Sequence, residues 1–156
     1  GLAISYAKLG ETHSSLGNLD KALEYFEEET VLFEQLYEAF PQNVSFKNGL
    51  AISYSKLGET HSSQGNLDKA LEYYEKDLAL SKELYEAFPQ NVSFKNGLAI
   101  SYSQLGRFYE QSDVEKAKSY FLQCQKLWQE LVNDFPAYKE FQNNLSWVQN
   151  RLEGLR

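Results

Sequence analysis

Few side chains in this sequence stand at spacings that would serve chemistry. The only histidines, His13 and His61, are 48 residues apart at equivalent places in two copies of one unit, where they could form paired metal ligands on neighbouring helices. The third copy puts Tyr109 there, all three lie on an apolar helical stripe, and no carboxylate or thiol recurs beside them. That pattern reads as packing rather than metal binding. Cys124 is the only cysteine, with no histidine near it in sequence, so it reads as an ordinary helical residue and not a nucleophile. Asn43-Val44-Ser45 and Asn91-Val92-Ser93 match a glycosylation acceptor, yet both asparagines have a simpler role as helix caps. The acidic residues Asp20, Glu24, Glu27, Glu28, Glu29, Glu34 and Glu38 read as a solvated outer helix face. No phosphate-binding loop, nucleophile elbow or paired catalytic carboxylates occur. The expectation is therefore a protein that is not an enzyme and needs no cofactor and no metal.

The elements that position these residues follow from a repeat. Residues 36–55 read LYEAFPQNVSFKNGLAISYS, and residues 84–103 repeat the same letters. A unit of this size leaves an apolar face that only the next copy can cover, which points to a solenoid rather than a single globular core. Within a unit, Phe46, Leu50, Tyr54, Leu57 and His61 fall on one face of a helix A. Asn43 or Asn91 should cap its start, and Gly17 or Gly65 its end. Asn18, Asn66 and Asp113 then cap a helix B that runs to Phe-Pro at 40–41, 88–89 and 135–136. The expected organisation is repeat 1 over 1–48 with a truncated helix A, repeat 2 over 49–96, repeat 3 over 97–136, and a capping helix within 137–156. In that last helix Gln149, Asn150 and Arg151 turn one side polar. Glycine at 10, 58 and 106 costs about 1 kcal/mol in a helix, so its recurrence signals a close backbone approach between helices.

Taking Tyr54 as the first marker, the unit runs Tyr54, Leu57-Gly58, His61, Gly65, Leu67, Ala70, Tyr74. The same markers recur as Tyr6, Leu9, Gly10, His13, Gly17, Leu19, Ala22, Phe26, and again as Tyr102, Leu105, Gly106, Tyr109, Val114, Ala117, Phe121. This resembles the tetratricopeptide repeat (TPR). It departs from that family's pattern in a 48-residue unit, where the usual length is 34, and in Glu29, Asp77 and Cys124 standing where a small residue is expected. The resemblance implies an all-α, right-handed superhelix of antiparallel helix pairs, about seven helices in all.

The resemblance also implies a concave groove lined by helix A. The residues beside the packing face are Ile4, Ala7, Glu11 and Ser14 in the first copy. They are Asn48, Ile52, Ser55, Glu59 and Ser62 in the second, and Asn96, Ile100, Ser103, Arg107 and Glu110 in the third. Small polar residues interleaved with isoleucine let a ligand backbone approach closely. The family's lysine and asparagine clamp for a terminal carboxylate is absent at Ser55 and Glu59. The reading is a protein-interaction scaffold for a peptide or protein segment; the alternative is a structural spacer or self-associating rod without a groove ligand. With a net charge of −7, nucleic acid and anionic membranes are poor partners. There is no basic-then-apolar leader and no apolar run of membrane-spanning length, and the expectation is a soluble, cytoplasmic chain. Gly1 aligns inside helix A, so the chain reads as a piece of a longer array whose N-terminal repeat face would pair weakly with a second copy.

Overall fold

The computed structural model describes residues 1–156 and contains seven α-helices. They are α1 (Leu2–Ser15), α2 (Leu19–Ala39), α3 (Val44–Ser63), α4 (Leu67–Ala87), α5 (Val92–Tyr109), α6 (Val114–Asp134) and α7 (Lys139–Gly154). The chain divides into two compact units, Gly1–Leu80 and Ser81–Arg156, with the division falling within α4.

In the first unit, α1 turns into α2 and α3 into α4 through the same device. Gly17 and Gly65 take φ of 77° and 79°, a left-handed conformation that glycine adopts without the cost of a Cβ. The following amides, Asn18 N–H and Asn66 N–H, return to the carbonyls of His13 and His61 at 2.8 and 2.9 Å, closing a Schellman motif. Asn18 Oδ1 then accepts from Lys21 N–H and caps α2. At the other end, the Phe40 amide closes α2 on Leu36 O, and Asn43 Oδ1 accepts from Phe46 N–H at 3.1 Å to open α3. The rings of Phe40 and Phe46 meet across this corner at 6.0 Å. The core joins Ala22, Phe26 and Leu57, with Leu23 and Tyr73 packed against it.

In the second unit the corner into α5 repeats with Asn91 as cap and Phe88 against Phe94. The α5–α6 connection, residues 110–113, has no glycine, and the residue that this repeat lacks is taken from α5, which has 18 residues where α3 has 20. Asp113 N–H and Ser112 N–H both return to Tyr109 O, Asp113 caps α6, and no residue there takes positive φ. α7 starts without a side-chain cap; Tyr138 at that position stacks on Phe141 at 5.7 Å instead. The core here is aromatic. Trp147 meets Phe121 and Trp128 edge-on at 5.8 and 6.4 Å, with Leu105, Leu131 and Val148 buried in the same unit.

The recurring helix-A glycines are not places where two backbones touch. A Cβ on Gly10 would stand 2.4 Å from the ring of Phe26, one on Gly58 2.5 Å from Tyr74, and one on Gly106 2.5 Å from Phe121. Each glycine is a seat for the aromatic residue of its partner helix B. The reason is volume: these rings, buried at 4%, 5% and 0% exposure, have no room against any larger residue.

Candidate interaction surface

The helix A stripe sits on rigid elements whose opposite faces carry the cores. In the first unit Ile4 is 58% and Ile52 48% exposed, although both belong to helices with apolar packing faces. Around them Glu11, Ser14 and Glu59 are exposed, while Ala7, Asn48, Ser55 and Ser62 are half-buried. Lys56 lies beside this stripe on α3. Its ammonium reaches Glu11 Oε1 of α1 at 3.2 Å and Glu29 Oε1 of α2 at 3.5 Å. Glu29 is thus not on a solvated outer face as its neighbours Glu27 and Glu28 are; it is 3% exposed. Burial raises its carboxyl above the usual range, and Lys56 pulls the other way more weakly.

In the second unit Ile100 is exposed at the same register, with Arg107 exposed farther along α5. The remaining three have partners in the fold. Asn96 Oδ1 accepts from Trp128 Nε1–H at 2.9 Å, Ser103 is buried with its hydroxyl donated to Ile100 O at 2.7 Å, and Glu110 accepts from Arg151 Nη1 at 3.0 Å. The structure keeps isoleucine exposed at one register in all three helices and commits much of the rest of the α5 stripe to α6 and α7.

The histidines lie in stacks. His61 is buried and parallel to Tyr73 with centroids 5.6 Å apart, and Tyr73 stacks in turn on Tyr54 at 5.9 Å. The first copy repeats this as His13, Tyr25 and Tyr6, and the third as Tyr109, Tyr120 and Tyr102. Burial lowers the His61 pKa below its ordinary value, favouring the neutral ring. No group of three or more His, Cys, Asp or Glu side chains stands in metal-binding geometry. The tyrosines at 25, 73 and 120 are absent from the sequence expectations, although they recur at the repeat spacing directly before the Phe26, Tyr74 and Phe121 markers. Cys124 is fully buried, its Sγ against Phe121 O at 3.3 Å, and burial pushes the thiol up to about 12. It is inert at neutral pH.

Comparison with known proteins agrees with this architecture. Residues 3–28 and 50–90 each match a tetratricopeptide-repeat family model. A thermophilic TPR protein of Thermus thermophilus is similar to 97% of this chain at 22% identity and a TM-score of 0.54, and the match covers 66% of its own length. The BtubC (BKLC) protein of P. vanneervenii is similar to 99% of the chain at 17% identity and a TM-score of 0.60, over 63% of its length. The chain thus spans just under two thirds of these two structures. No curated protein matches the sequence. Seven helices without a strand, two stretches that match tetratricopeptide-repeat models and these similar folds give an all-α helical-repeat architecture like that of tetratricopeptide-repeat proteins. Such repeats in general mediate protein–protein interaction as non-catalytic scaffolds. No helix is long and apolar enough to cross a membrane.

Proposed function

We propose that the chain is a scaffold module that holds an extended segment of a partner protein along the helix A stripe of its first unit, centred on Ile4 and Ile52; Ile100 offers a contact of the same kind on the second unit. The observation that supports this reading most is the exposed isoleucine at the same register of α1, α3 and α5. A large apolar side chain that α1, α3 and α5 each leave partly in water has area still to bury, and covering it in an interface stabilises the complex by at most about 1.5–3 kcal/mol. Ala7, Ser55, Ser14 and Ser62 flank the first two isoleucines with short side chains that admit a peptide backbone.

The test is capture of a partner by the wild-type chain and by Ile52→Glu, with circular dichroism on both. Ile52→Glu is expected to keep the helical spectrum and lose a stoichiometric heterologous protein that the wild type retains. If the wild type captures no heterologous protein and its mass rises with concentration, the chain is a self-associating spacer. Unfolding of Ile52→Glu would place the stripe in the core and remove this reading.

A further inference from the structure

A second recessed surface shares no residue with the helix A stripe. In the first unit, a cleft of about 640 Å³ opens between α2 and α4 over α3. Its floor is the buried Leu50 and Tyr54, Tyr37 lines one wall, and the exposed Glu34, Glu38 and Lys76 form the rim. The volume falls within the range of ligand-sized pockets. We propose that this cleft docks an arginine side chain from an extended basic segment of a partner protein.

Three observations support a cationic occupant with an apolar stem. First, the tyrosine faces already attract a cation: Lys76 Nζ stands 5.5 Å from the ring centroids of both Tyr54 and Tyr73. Second, a carboxylate is fixed beside the ring, because the Tyr54 hydroxyl donates to Glu34 Oε1 at 3.1 Å, and Glu38 follows one helical turn later. A guanidinium can lie on an aromatic face while its N–H groups reach such carboxylates, which the point charge of a lysine does less well. Third, the charge of the chain is lopsided. Residues 1–80 hold six lysines against thirteen aspartates and glutamates, whereas residues 81–156 hold nine basic against nine acidic, so the whole net charge of −7 lies in the first unit. That field steers a basic segment toward the first unit.

The second unit has the same kind of cleft, about 410 Å³ over Leu98 and Tyr102, but two lysines, Lys82 and Lys126, line it where the first cleft has one. Lys82 stands where the first unit has Glu34, and its ammonium lies 5.8 Å from the Tyr102 ring centroid. The second rim thus balances Lys82 and Lys126 against Glu86 and Glu130, whereas the first sets one cation, Lys76, against Glu34 and Glu38, so the excess of carboxylate belongs to the first cleft.

The experiment is fluorescence anisotropy with a labelled dodecapeptide of alternating arginine and alanine at physiological salt, with a glutamate–alanine peptide as the opposite-charge control. The arginine peptide is expected to bind saturably and the glutamate peptide not at all. Glu34→Gln combined with Glu38→Gln is expected to weaken binding about tenfold, since each carboxylate–guanidinium bond is charge-assisted. A glutamine at 34 still accepts the Tyr54 hydroxyl, so the floor is retained. Lys76→Ala is expected to tighten binding roughly threefold by removing the resident cation from the ring faces, while Ile52→Ser leaves it unchanged. The proposal is overturned if the arginine peptide does not saturate, if Glu24→Gln with Glu27→Gln weakens binding as much as the cleft pair does, or if Lys76→Ala weakens it. Loss of arginine-peptide binding on Ile52→Ser would move the site to the helix A stripe and likewise overturn it.

Discussion

Gly58 and Gly97 are both helix-A glycines, yet they should respond oppositely to the same substitution. At Gly58 a methyl would press into the Tyr74 ring, so Gly58→Ala is expected to destabilise by about 1–3 kcal/mol in urea unfolding, despite the better helix propensity of alanine. At Gly97 nothing lies within 4 Å, so Gly97→Ala is expected to stabilise by roughly 0.5–1 kcal/mol. The difference comes from one side chain. Gly49, the counterpart of Gly97, seats Phe33, whose own counterpart at 81 is a serine. His61 gives a pH signature at the same scale. Because burial lowers its pKa, its contribution to stability is intact above the unfolded value of 6.5 and is lost as pH falls through 6.5 toward the folded value. Glu29 works in the reverse sense: its carboxyl is raised, so its contribution is present below 4.5 and lost as pH rises through the folded value. Comparison with His61→Phe isolates the imidazole: the variant's stability should fall less than the wild type's between neutral pH and pH values below 6.5. An identical slope in both proteins would show that His61 titrates alike folded and unfolded.

At the scale of helices, most of the boundaries were legible in the sequence because each is set by a local rule. Asn43 and Asn91 cap α3 and α5, Asn18 and Asp113 cap α2 and α6, and Gly17 and Gly65 close the helices that precede them. Asn91→Ala is expected to cost about 1 kcal/mol of unfolding free energy, since Phe94 N–H loses its acceptor at the first turn of α5. No change in the urea midpoint would mean the corner is held by the Phe88–Phe94 contact alone. The legible part ended where a residue's fate depends on a partner far away in sequence. Glu29 looked like its solvated neighbours because nothing local distinguishes it; Lys56, 27 residues on, buries and pairs it. Asn96 and Glu110 are engaged in the same way by Trp128 and Arg151, 32 and 41 residues on, whereas Ser103 bonds within its own helix to Ile100 O. The tyrosine stacks at 25, 73 and 120 needed both helices of a pair in view before the repeat spacing meant contact.

For the whole molecule, fold class followed from a repeat that no single-core domain requires, and the functional reading follows from what the repeat leaves uncovered. Two kinds of surface stand out once the cores are assigned: a register of isoleucines along helix A, and a tyrosine-floored cleft in each unit, with an excess of carboxylate in the first. The charge is partitioned as well, so association of a basic partner with the first unit should slow as salt rises, because screening shortens the field that steers it. The interaction claim is tested most directly by placing a photo-crosslinking amino acid at Ile52 and, in a separate protein, at Leu122, which is 55% exposed on helix α6. Irradiation of the chain in its native cell is predicted to give a discrete heterologous adduct from position 52 and none from position 122. Adducts from 122 alone, or only self-adducts from 52, would contradict the assignment of helix A as the partner-binding face.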